Sequence, residues 1–253
     1  MSLKFSIITC TWNSVRYLPQ AIASILAQDY SNIEYVFVDG GSNDGTLELI
    51  QSIPKPVTFV TGVRGGISAA MNKGIELATG DVIAHLHSDD YYLHGGVISR
   101  VAGVLEESGA EWCFGRAKDD SNGAVTTEPW EIFPYSYRRL IKRNFIPHVS
   151  TFVRKRVFDR LGAFDPQYLY AMDYDMWLRI AKHYAPVQLN EHLGVFRCHA
   201  GSASTANEMA GLIEGYRIRL RHIPKTPWDY LYHYAHFIVR RRRLERNLSK
   251  GIT

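Results

Sequence analysis

Short apolar runs alternate with amphipathic segments through the N-terminal part of the chain. The runs predict buried strands at Phe5–Thr9, Glu34–Val38, Val57–Val60 and Val82–Leu86. Between them, apolar residues recur at the spacing of one helical face, at Leu18, Ala21, Ile22, Ile25 and Leu26 and again at Ile67, Ala70, Met71, Gly74, Ile75 and Ala78. This alternation is typical of an α/β fold with a mostly parallel, doubly wound sheet flanked by helices.

Turn and capping residues set the expected ends of these elements. Asn13 or Ser14 is expected to cap the first helix, with Pro19 in its first turn. The segment Gly40–Thr46 has turn chemistry and leads into a helix that continues through Ile50.

The second half of the chain has a less regular pattern. It predicts strands at Glu111–Phe114 and His148–Val153, a hairpin or loop at Asp119–Gly123 and a helix at Lys155–Leu161. A further helix is entered through Asp173 and Asp175, and its buried face carries Trp177, Ile180, Ala181 and Tyr184.

The C-terminal part, from Asn207 onward, is expected to be helical with breaks at Pro224 and Pro227. We therefore predict an α/β domain at 1–204 and a helical, basic C-terminal extension at 205–253.

Composition and cysteine content favour a soluble, intracellular protein. With 46% apolar and 21% charged residues, a chain of 253 residues can bury a sizeable core. Cys10, Cys113 and Cys198 are odd in number and lack metal-ligand spacing, which favours a reduced, cytoplasmic setting. The N-terminus lacks a signal-peptide pattern, and no apolar run approaches the roughly 20 residues that cross a bilayer. We expect a soluble or peripheral protein.

Basic charge is concentrated at the C-terminus. The net charge is +4, yet from Arg217 to Lys250 there are ten basic and only two acidic side chains, and the rest of the chain is slightly acidic. Aromatic residues from Trp228 to Phe237 precede the run Arg240–Arg243, which favours a helix lying on an anionic membrane surface at the inner face of the cell membrane. The alternative is a solvated helix or a contact in a homodimer. Nucleic acid is disfavoured because the remainder offers no basic face.

Candidate chemistry collects at the ends of the predicted strands. Asp89 and Asp90 follow the fourth strand, where open α/β sheets place their ligands, and carboxylates of this kind hold Mg²⁺ or Mn²⁺ together with substrate phosphates. Asp39 and Thr9 end the second and first strands at the same edge, where they could contact a base or a ribose. Each also has a simpler interpretation, as a polar turn, a cap or a core threonine.

Three further positions are candidates for a phosphate site or a catalytic role. Arg64 precedes two glycines and a helix N-terminus that favours phosphate, although the segment is not a Walker loop. Asp173 or Asp175 could serve as a general base, and the alternative is a helix cap. His199 could bind a metal or a pyrophosphate, whereas a lone histidine is more often structural.

The order of these motifs resembles the family 2 glycosyltransferases, which have the GT-A nucleotide-sugar-binding fold. The matching stretches are Phe5–Asn13, Tyr35–Thr46, Ala70–Asp81, Ser88–Asp90 and Asp173–Arg179. The resemblance implies that Thr9 and Asp39 contact the base and ribose and that Asp89 and Asp90 hold a divalent cation, Mn²⁺ or Mg²⁺, under the diphosphate. It also implies that Asp173 is the catalytic base, with Asp175 orienting it, and that His199 lies near the diphosphate.

Three positions depart from the family pattern. His87 stands where the first acid of the metal motif is usual, Met172 replaces a Glu before the base, and Gly40 replaces a second Asp. Asp89 and Asp90 would then hold the cation without the first acid, with a weaker or different metal preference.

The resemblance implies an inverting transfer of a sugar from a nucleotide sugar, a UDP sugar by expectation, to a hydroxyl of a glycan or lipid-linked acceptor in cell-surface polysaccharide synthesis. A non-catalytic nucleotide-sugar-binding module is the alternative. A nucleotidyltransferase is less favoured, because Cys10–Asn13 supplies no glycine-rich basic loop after the first strand.

Overall fold

One sheet of nine strands organises the residues described by the computed structural model, which are 2–127, 134–199, 201–202 and 207–249. The strands are Phe5–Thr11 (β1), Ile33–Asp39 (β2), Val57–Val60 (β3), Val82–His85 (β4), Tyr91–Tyr92 (β5), Trp112–Ser121 (β6), Ala124–Thr127 (β7), Thr151–Arg154 (β8) and Val187–Cys198 (β9). The helices are Leu18–Leu26 (α1), Thr46–Gln51 (α2), Gly66–Leu77 (α3), Val97–Ser108 (α4), Tyr137–Lys142 (α5), Lys155–Leu161 (α6), Met172–Ala181 (α7), Glu208–His222 (α8) and Pro227–Ser249 (α9).

The first four strands form the expected parallel half of the sheet, in the order β3-β2-β1-β4. Every residue of β1 is buried, because adjacent side chains such as Ile7 and Ile8 enter separate cores on the two faces of the sheet. Helix α3 packs closely on β1. A Cβ added at Gly74 would lie 2.3 Å from Cγ2 of Ile8, so the approach requires a glycine.

The first helix begins later than predicted. It starts at Leu18, with Pro19 in its first turn, rather than directly after Asn13 or Ser14. Asn13 has a φ of 48°, which lies outside the region of a right-handed helix, and its backbone N–H donates to Ser42 Oγ at 2.8 Å. The segment before α1 is therefore held by the loop that follows β2.

The second half of the sheet is mixed. β8 pairs antiparallel with both β4 and β6, whereas β9 runs parallel to β6 and antiparallel to β5. β6 is longer than predicted and turns through Asn122 and Gly123, both at positive φ, into β7, as a tight hairpin requires. A 3-10 turn at His148–Ser150 replaces the first half of the strand predicted there.

The C-terminal helices pack against this sheet domain. Ile218 of α8 joins the core beside α7, and α9 packs on α8 through stacked rings of Tyr216 and Phe237, whose centroids are 4.4 Å apart. The predicted boundary near 204 falls at residues outside the described part of the chain and stays a prediction. Among the described helices, none combines the length and apolar character that a bilayer span demands.

Candidate active site

A cavity of about 1290 Å³ opens where β1 and β4 end and where α3 and α7 begin. Five of the predicted site residues line it together: Arg64, Asp89, Asp90, Asp173 and His199. These residues come from four separate stretches of the chain. The other three residues predicted for the site, Thr9, Asp39 and Asp175, do not line this cavity.

Asp39, at the end of β2, joins the end of β1 to the loops that follow β2 and β3. Its Oδ1 accepts hydrogen bonds from the N–H groups of Gly41 (2.7 Å) and Ser42 (2.9 Å) and from the Thr61 hydroxyl (2.9 Å). Its Oδ2 accepts from the hydroxyls of Thr11 (2.9 Å) and Ser42 (2.5 Å). Burial alone would raise the pKa of Asp39, but these donors outweigh it and lower the pKa.

The geometry therefore argues against the predicted contact between Asp39 and a base or ribose. The carboxylate is fully buried and does not line the cavity, whereas the next residue, Gly40, does. Its position at the sheet edge was predicted correctly. Its hydrogen-bonding capacity is occupied by the protein.

We expect Asp39→Ala to lower the free energy of unfolding by at least about 3 kcal/mol, since it leaves two backbone N–H groups without their buried acceptor. The contribution is present at neutral pH and is lost as the pH falls below the ordinary range of an aspartate, because the folded-state pKa is lowered. Urea unfolding checks this. Asp44→Ala, which removes a less buried acceptor of the Thr46 N–H and hydroxyl groups, is the control and should cost about 1 kcal/mol.

Thr9 also lies away from the cavity, which corrects its predicted contact with the base. Its hydroxyl is buried inside β1 without a hydrogen-bond partner among the described residues. β1 continues two residues beyond the predicted end, so Cys10 and Thr11 reach the cavity instead. The β-branched character of Thr11 was a signal for the longer strand.

Arg64 lines the cavity together with the start of α3. Its Nη2 would come within 3.1 Å of a Cβ at Gly41, a position that also has a φ of 96°. Glycine there lets the guanidinium lie against the loop after β2. The arginine and the N-terminus of α3, both on the wall, give this side a positive potential that suits a phosphate.

Asp89 and His199 both line the cavity and are hydrogen-bonded to each other. Nε2 of His199 lies 3.0 Å from Oδ2 of Asp89, and Nδ1 accepts from the N–H of Gly201 at 3.2 Å. An accepting Nδ1 places the imidazole proton on Nε2, which then donates to Asp89. The ring also packs on Tyr17, with centroids 4.7 Å apart.

Asp90 has a structural partner that the sequence did not reveal. It is buried, and its Oδ1 accepts from the backbone N–H of Arg197 at 3.0 Å. Burial and the neighbouring charge of Asp89 raise the pKa of Asp90 well above its usual range. Arg197, itself buried, lies over the rings of Tyr17 (4.6 Å) and Tyr91 (5.3 Å). Asp90 thus ties the end of β9 to the site and positions His199 two residues later.

The protein side chains at this site could hold a divalent cation only together with oxygen atoms from a bound substrate. No cluster of three or more His, Cys, Asp or Glu suited to a metal occurs among the described residues. Asp89 and Asp90 are neighbouring carboxylates at one corner of the cavity, and Mg²⁺ and Mn²⁺ are commonly held by one or two carboxylates with substrate phosphates. The residues therefore fit a cation that arrives with a diphosphate.

Three imidazoles pack together in this corner, from His85, His87 and His148. The ring of His148 lies 5.3 Å from that of His85 and 5.1 Å from that of His87, centroid to centroid. Burial lowers the pKa of each, that of His85 to about 3, so the rings are neutral at physiological pH. Where the family pattern has its first acid, the cavity wall accordingly carries the neutral ring of His87.

Asp173 lies in the first turn of α7 and also lines the cavity. Its Oδ2 accepts from the Asn144 side chain at 3.0 Å, and its Oδ1 accepts from the N–H of Tyr174 at 2.6 Å. Burial raises the pKa of Asp173 to about 6, against the opposing effect of these two hydrogen bonds. A carboxylate that lines the cavity with a raised pKa is suited to general-base chemistry.

Asp175 lies outside this cavity, and the catalytic role predicted for it needs correction. Its Oδ2 is ion-paired with Nε of Arg179 at 2.8 Å, one helical turn further along α7. Arg179 in turn donates to the carbonyl groups of Leu161, Gly162 and Ala163. Because successive helical residues point about 100° apart, Asp173 and Asp175 cannot share a target. Asp175 anchors α7 to the loop after α6.

Comparison with known proteins identifies this arrangement. The profile of glycosyl transferase family 2 matches residues 6–162. The chain belongs to glycosyl transferase family 2. A family relative, the PGL/p-HBAD biosynthesis glycosyltransferase of Mycobacterium bovis, is 30% identical over 213 residues, 82% of this chain and 78% of the relative. An uncharacterized glycosyltransferase of Rickettsia typhi is 27% identical over 83% of this chain and 68% of its own length.

Solved glycosyltransferases share the fold at low sequence identity. S. aureus TarS in complex with UDP-GlcNAc has a TM-score of 0.73 and 19% identity, covering 98% of this chain and 73% of that one. A mannosyltransferase from Pyrobaculum calidifontis, in complex with GDP-Man and Mn²⁺, has a TM-score of 0.68 and 17% identity, covering 94% and 70%. In a longer TarS structure the chain spans 44% of the protein. The fold expected from the motifs, GT-A with a helical C-terminal extension, is confirmed, and this family 2 chain is a glycosyltransferase.

Proposed function

We propose that the protein transfers a hexose from a nucleotide sugar, a UDP sugar by preference, to a hydroxyl group of a glycan or lipid-linked acceptor, with inversion at the anomeric carbon. One observation carries the proposal: Asp89 and Arg64, suited to a diphosphate, share a single cavity with the carboxylate of Asp173. The relative named for PGL/p-HBAD biosynthesis and the structure in complex with UDP-GlcNAc support this choice of substrates. By the same analogy the product belongs to cell-surface polysaccharide or glycolipid synthesis.

The chemistry is a single displacement. The acceptor oxygen forms a bond to the anomeric carbon as the bond from that carbon to the diphosphate oxygen breaks. Asp173 takes the proton of the acceptor hydroxyl, and the nucleoside diphosphate leaves with the bonding electron pair. Arg64 and the N-terminus of α3 offset the negative charge that develops on the leaving group.

A divalent cation, Mn²⁺ or Mg²⁺, would be held by Asp89 with Asp90 behind it, and when bound it supplies further positive charge at the diphosphate. The neighbour in complex with GDP-Man and Mn²⁺ supports this assignment. His199 contributes by fixing the orientation of the Asp89 carboxylate through its Nε2–H.

Donor binding and turnover together test the function. A thermal-shift panel of nucleotides and nucleotide sugars, with and without Mn²⁺, should identify one preferred donor, whose hydrolysis should follow when Mn²⁺ is supplied. Binding of a nucleotide sugar without any turnover, even with candidate acceptors, would instead identify a non-catalytic binding module. Stabilisation by no nucleotide sugar would contradict the proposal.

We further propose that α9 lies on the inner surface of the cell membrane. Its side towards α8 is buried through His233 and Phe237, while Trp228, Leu231 and Val239 are 76%, 57% and 65% exposed. At about 100° per residue these three lie on one outward face, which continues into exposed arginines such as Arg242 and Arg246. An outward apolar strip followed by basic side chains suits an anionic bilayer.

Replacing Trp228 and Val239 by serine should weaken binding to anionic vesicles by at least about ten-fold, because the two apolar side chains account for most of the outward strip. Vesicle pelleting with the full chain measures the effect. Val125→Ser, which changes an exposed valine on β7, is the control and should bind as wild type does. Equal binding by the double variant would favour a solvated helix, and concentration-dependent self-association of the wild type would favour a homodimer.

A further inference from the structure

Asp119 of β6 lines the cavity with a carboxylate that has no partner among the described residues. Ala117, two residues earlier on the same face of the strand, also lines the cavity, whereas Lys118 between them does not. The Thr126 hydroxyl donates to the backbone carbonyl oxygen of Asp119, at 3.5 Å, and not to its carboxylate. No hydrogen bond or ion pair of the side chain occurs within the described part of the chain, and neither of its unpaired oxygens is fully buried. Asp119 therefore offers two acceptors to a molecule in the cavity.

The next residue along the strand, Asp120, has the contacts of a structural carboxylate. It is buried, and its Oδ1 accepts from the N–H of Gly123 at 2.8 Å. Its Oδ2 accepts from the Tyr91 hydroxyl at 3.2 Å and is paired with Nε of Arg197 at 3.4 Å. Asp119 is also partly buried, and burial raises its pKa, yet no such donors surround it. Partial burial of a carboxylate is unfavourable until donors reach it, and a ligand in the cavity can supply them.

The register of the sheet places Asp119 two strands away from Asp90. β5 and β6 pair with β9 from its two sides, and Tyr91 and Lys118 both oppose Val195 there. Asp90, which precedes Tyr91, and Asp119, which follows Lys118, extend this row by one residue. Neighbouring strands lie about 4.8 Å apart, so the Cα atoms of Asp90 and Asp119 are separated by roughly 10 Å. A hexose attached to a diphosphate in the corner beside Asp90 can therefore reach Asp119.

We propose that the Asp119 carboxylate binds two neighbouring hydroxyl groups of the hexose on the nucleotide sugar and thereby selects which sugar is transferred. This rests on the proposed donor class and adds the residue that determines its sugar. An ionised carboxylate only accepts hydrogen bonds, and its two oxygens match two hydroxyl donors on adjacent carbons. A sugar that lacks one of these hydroxyls, or directs it elsewhere, leaves a desolvated oxygen without its donor. Sites built to bind a hydroxyl reject such analogues strongly.

Calorimetric binding of UDP and of UDP-glucose, UDP-galactose and UDP-GlcNAc to the full chain, with Mn²⁺ and without an acceptor, tests the proposal. The contribution of the sugar is the ratio of the Kd for the UDP sugar to the Kd for UDP. Asp119→Ala should raise this ratio at least about ten-fold for the preferred sugar and leave the Kd for UDP within about two-fold of wild type. Lys118→Ala, which changes the preceding residue outside the cavity lining, is the control and should leave both values unchanged. Equal melting temperatures of the two variants show that the fold is intact.

Deoxy analogues of the preferred UDP sugar identify the two hydroxyls. Removal of either member of one neighbouring pair should weaken binding to the wild type at least about ten-fold. The same removal should have little further effect on Asp119→Ala, because the carboxylate that accepts from these hydroxyls is already absent. Asp119→Asn, which keeps one acceptor oxygen, should fall between the wild type and Asp119→Ala.

The alternative results each overturn the role of Asp119 in a different way. An unchanged ratio in Asp119→Ala contradicts it directly, and an unchanged ratio with a raised KM for the acceptor would place the carboxylate at the acceptor instead. Equal weakening of UDP and the UDP sugars would place it at the diphosphate or its cation. A wild type that binds no UDP sugar would contradict the proposed donor, whereas normal donor binding and turnover with an unchanged ratio in the variant contradict only the assignment of Asp119.

Discussion

Asp173→Asn should reduce turnover by about 10²- to 10⁴-fold while leaving donor affinity within a few-fold of wild type. The carboxylate is needed only when the acceptor proton moves, and Asn preserves its size. The side-chain oxygen can still accept from Tyr174 N–H or Asn144, as Asp173 does. Steady-state turnover and calorimetric donor binding on the same preparation separate the two quantities. Turnover equal to wild type would remove Asp173 as the base.

Asp175→Asn provides the matched control, two residues further along the same helix. It removes the partner of Arg179 and should lower the melting temperature, with turnover largely retained. The opposite pattern, lost turnover from Asp175→Asn and full turnover from Asp173→Asn, would exchange the two roles. The control therefore tests both the structural role of Asp175 and the role of Asp173 as general base.

The pH dependence of turnover should reflect the ionisation of Asp173. Burial raises the pKa of Asp173 to about 6. A base must be deprotonated to act, so wild-type turnover should fall about ten-fold per pH unit below pH 6 and level off above it. The residual activity of Asp173→Asn should lack this limb. A wild-type limb near pH 4 would mean that the group is hydrated rather than buried.

The raised pKa of Asp173 also predicts that the ionised side chain lowers the free energy of unfolding at neutral pH. A carboxyl group with a folded-state pKa of about 6, against an ordinary value of 3.8, binds its proton more tightly in the folded state. Its stabilising effect is full below the unfolded pKa and lost as the pH rises through 6. A pKa raised from 3.8 to about 6 corresponds to about 3 kcal/mol, and because the side chain is partly exposed to solvent in the cavity we expect about 1–2 kcal/mol. Asp173→Asn should therefore unfold at higher urea at pH 7.5 and show little gain at pH 4.

The parallel half of the fold was predictable because each strand there is continuous and apolar. β3 coincides with its predicted range, and β1, β2 and β4 differ by two residues or fewer at either end. The later strand β9 was not predicted. Its pairing with β6 is irregular near Arg116, and its burial does not alternate, so the two-residue period on which a sequence prediction depends is absent.

Within the site, residue types at strand ends were predictable, and their hydrogen-bond partners were not. Asp89, Asp173 and His199 lie in one cavity, as predicted. The role of Asp39, by contrast, is decided by donors from Thr11 and Thr61, which lie 28 and 22 residues away in sequence. The same holds for Arg219 of α8, which is buried and donates to the carbonyl oxygen of Lys142, 77 residues away in sequence. Sequence spacing carries no information about such long-range contacts.

Asp89→Asn should weaken donor binding in the presence of Mn²⁺ by at least about 10²-fold, and the binding that remains should no longer depend on the metal. Asn keeps the acceptor for the Nε2–H of His199, now 3.0 Å from Asp89, so the wall should keep its shape while losing one negative charge. Calorimetry with the nucleotide sugar, with and without Mn²⁺, measures the effect, and the nucleoside alone serves as a ligand that should bind equally to both proteins. Asp159→Asn, which removes an exposed charge from α6, is the control and should bind the donor normally. If Asp89→Asn kept full Mn²⁺-dependent affinity, the cation would have to be held elsewhere, and the neutral rings of His87 and His148 offer no carboxylate to replace it.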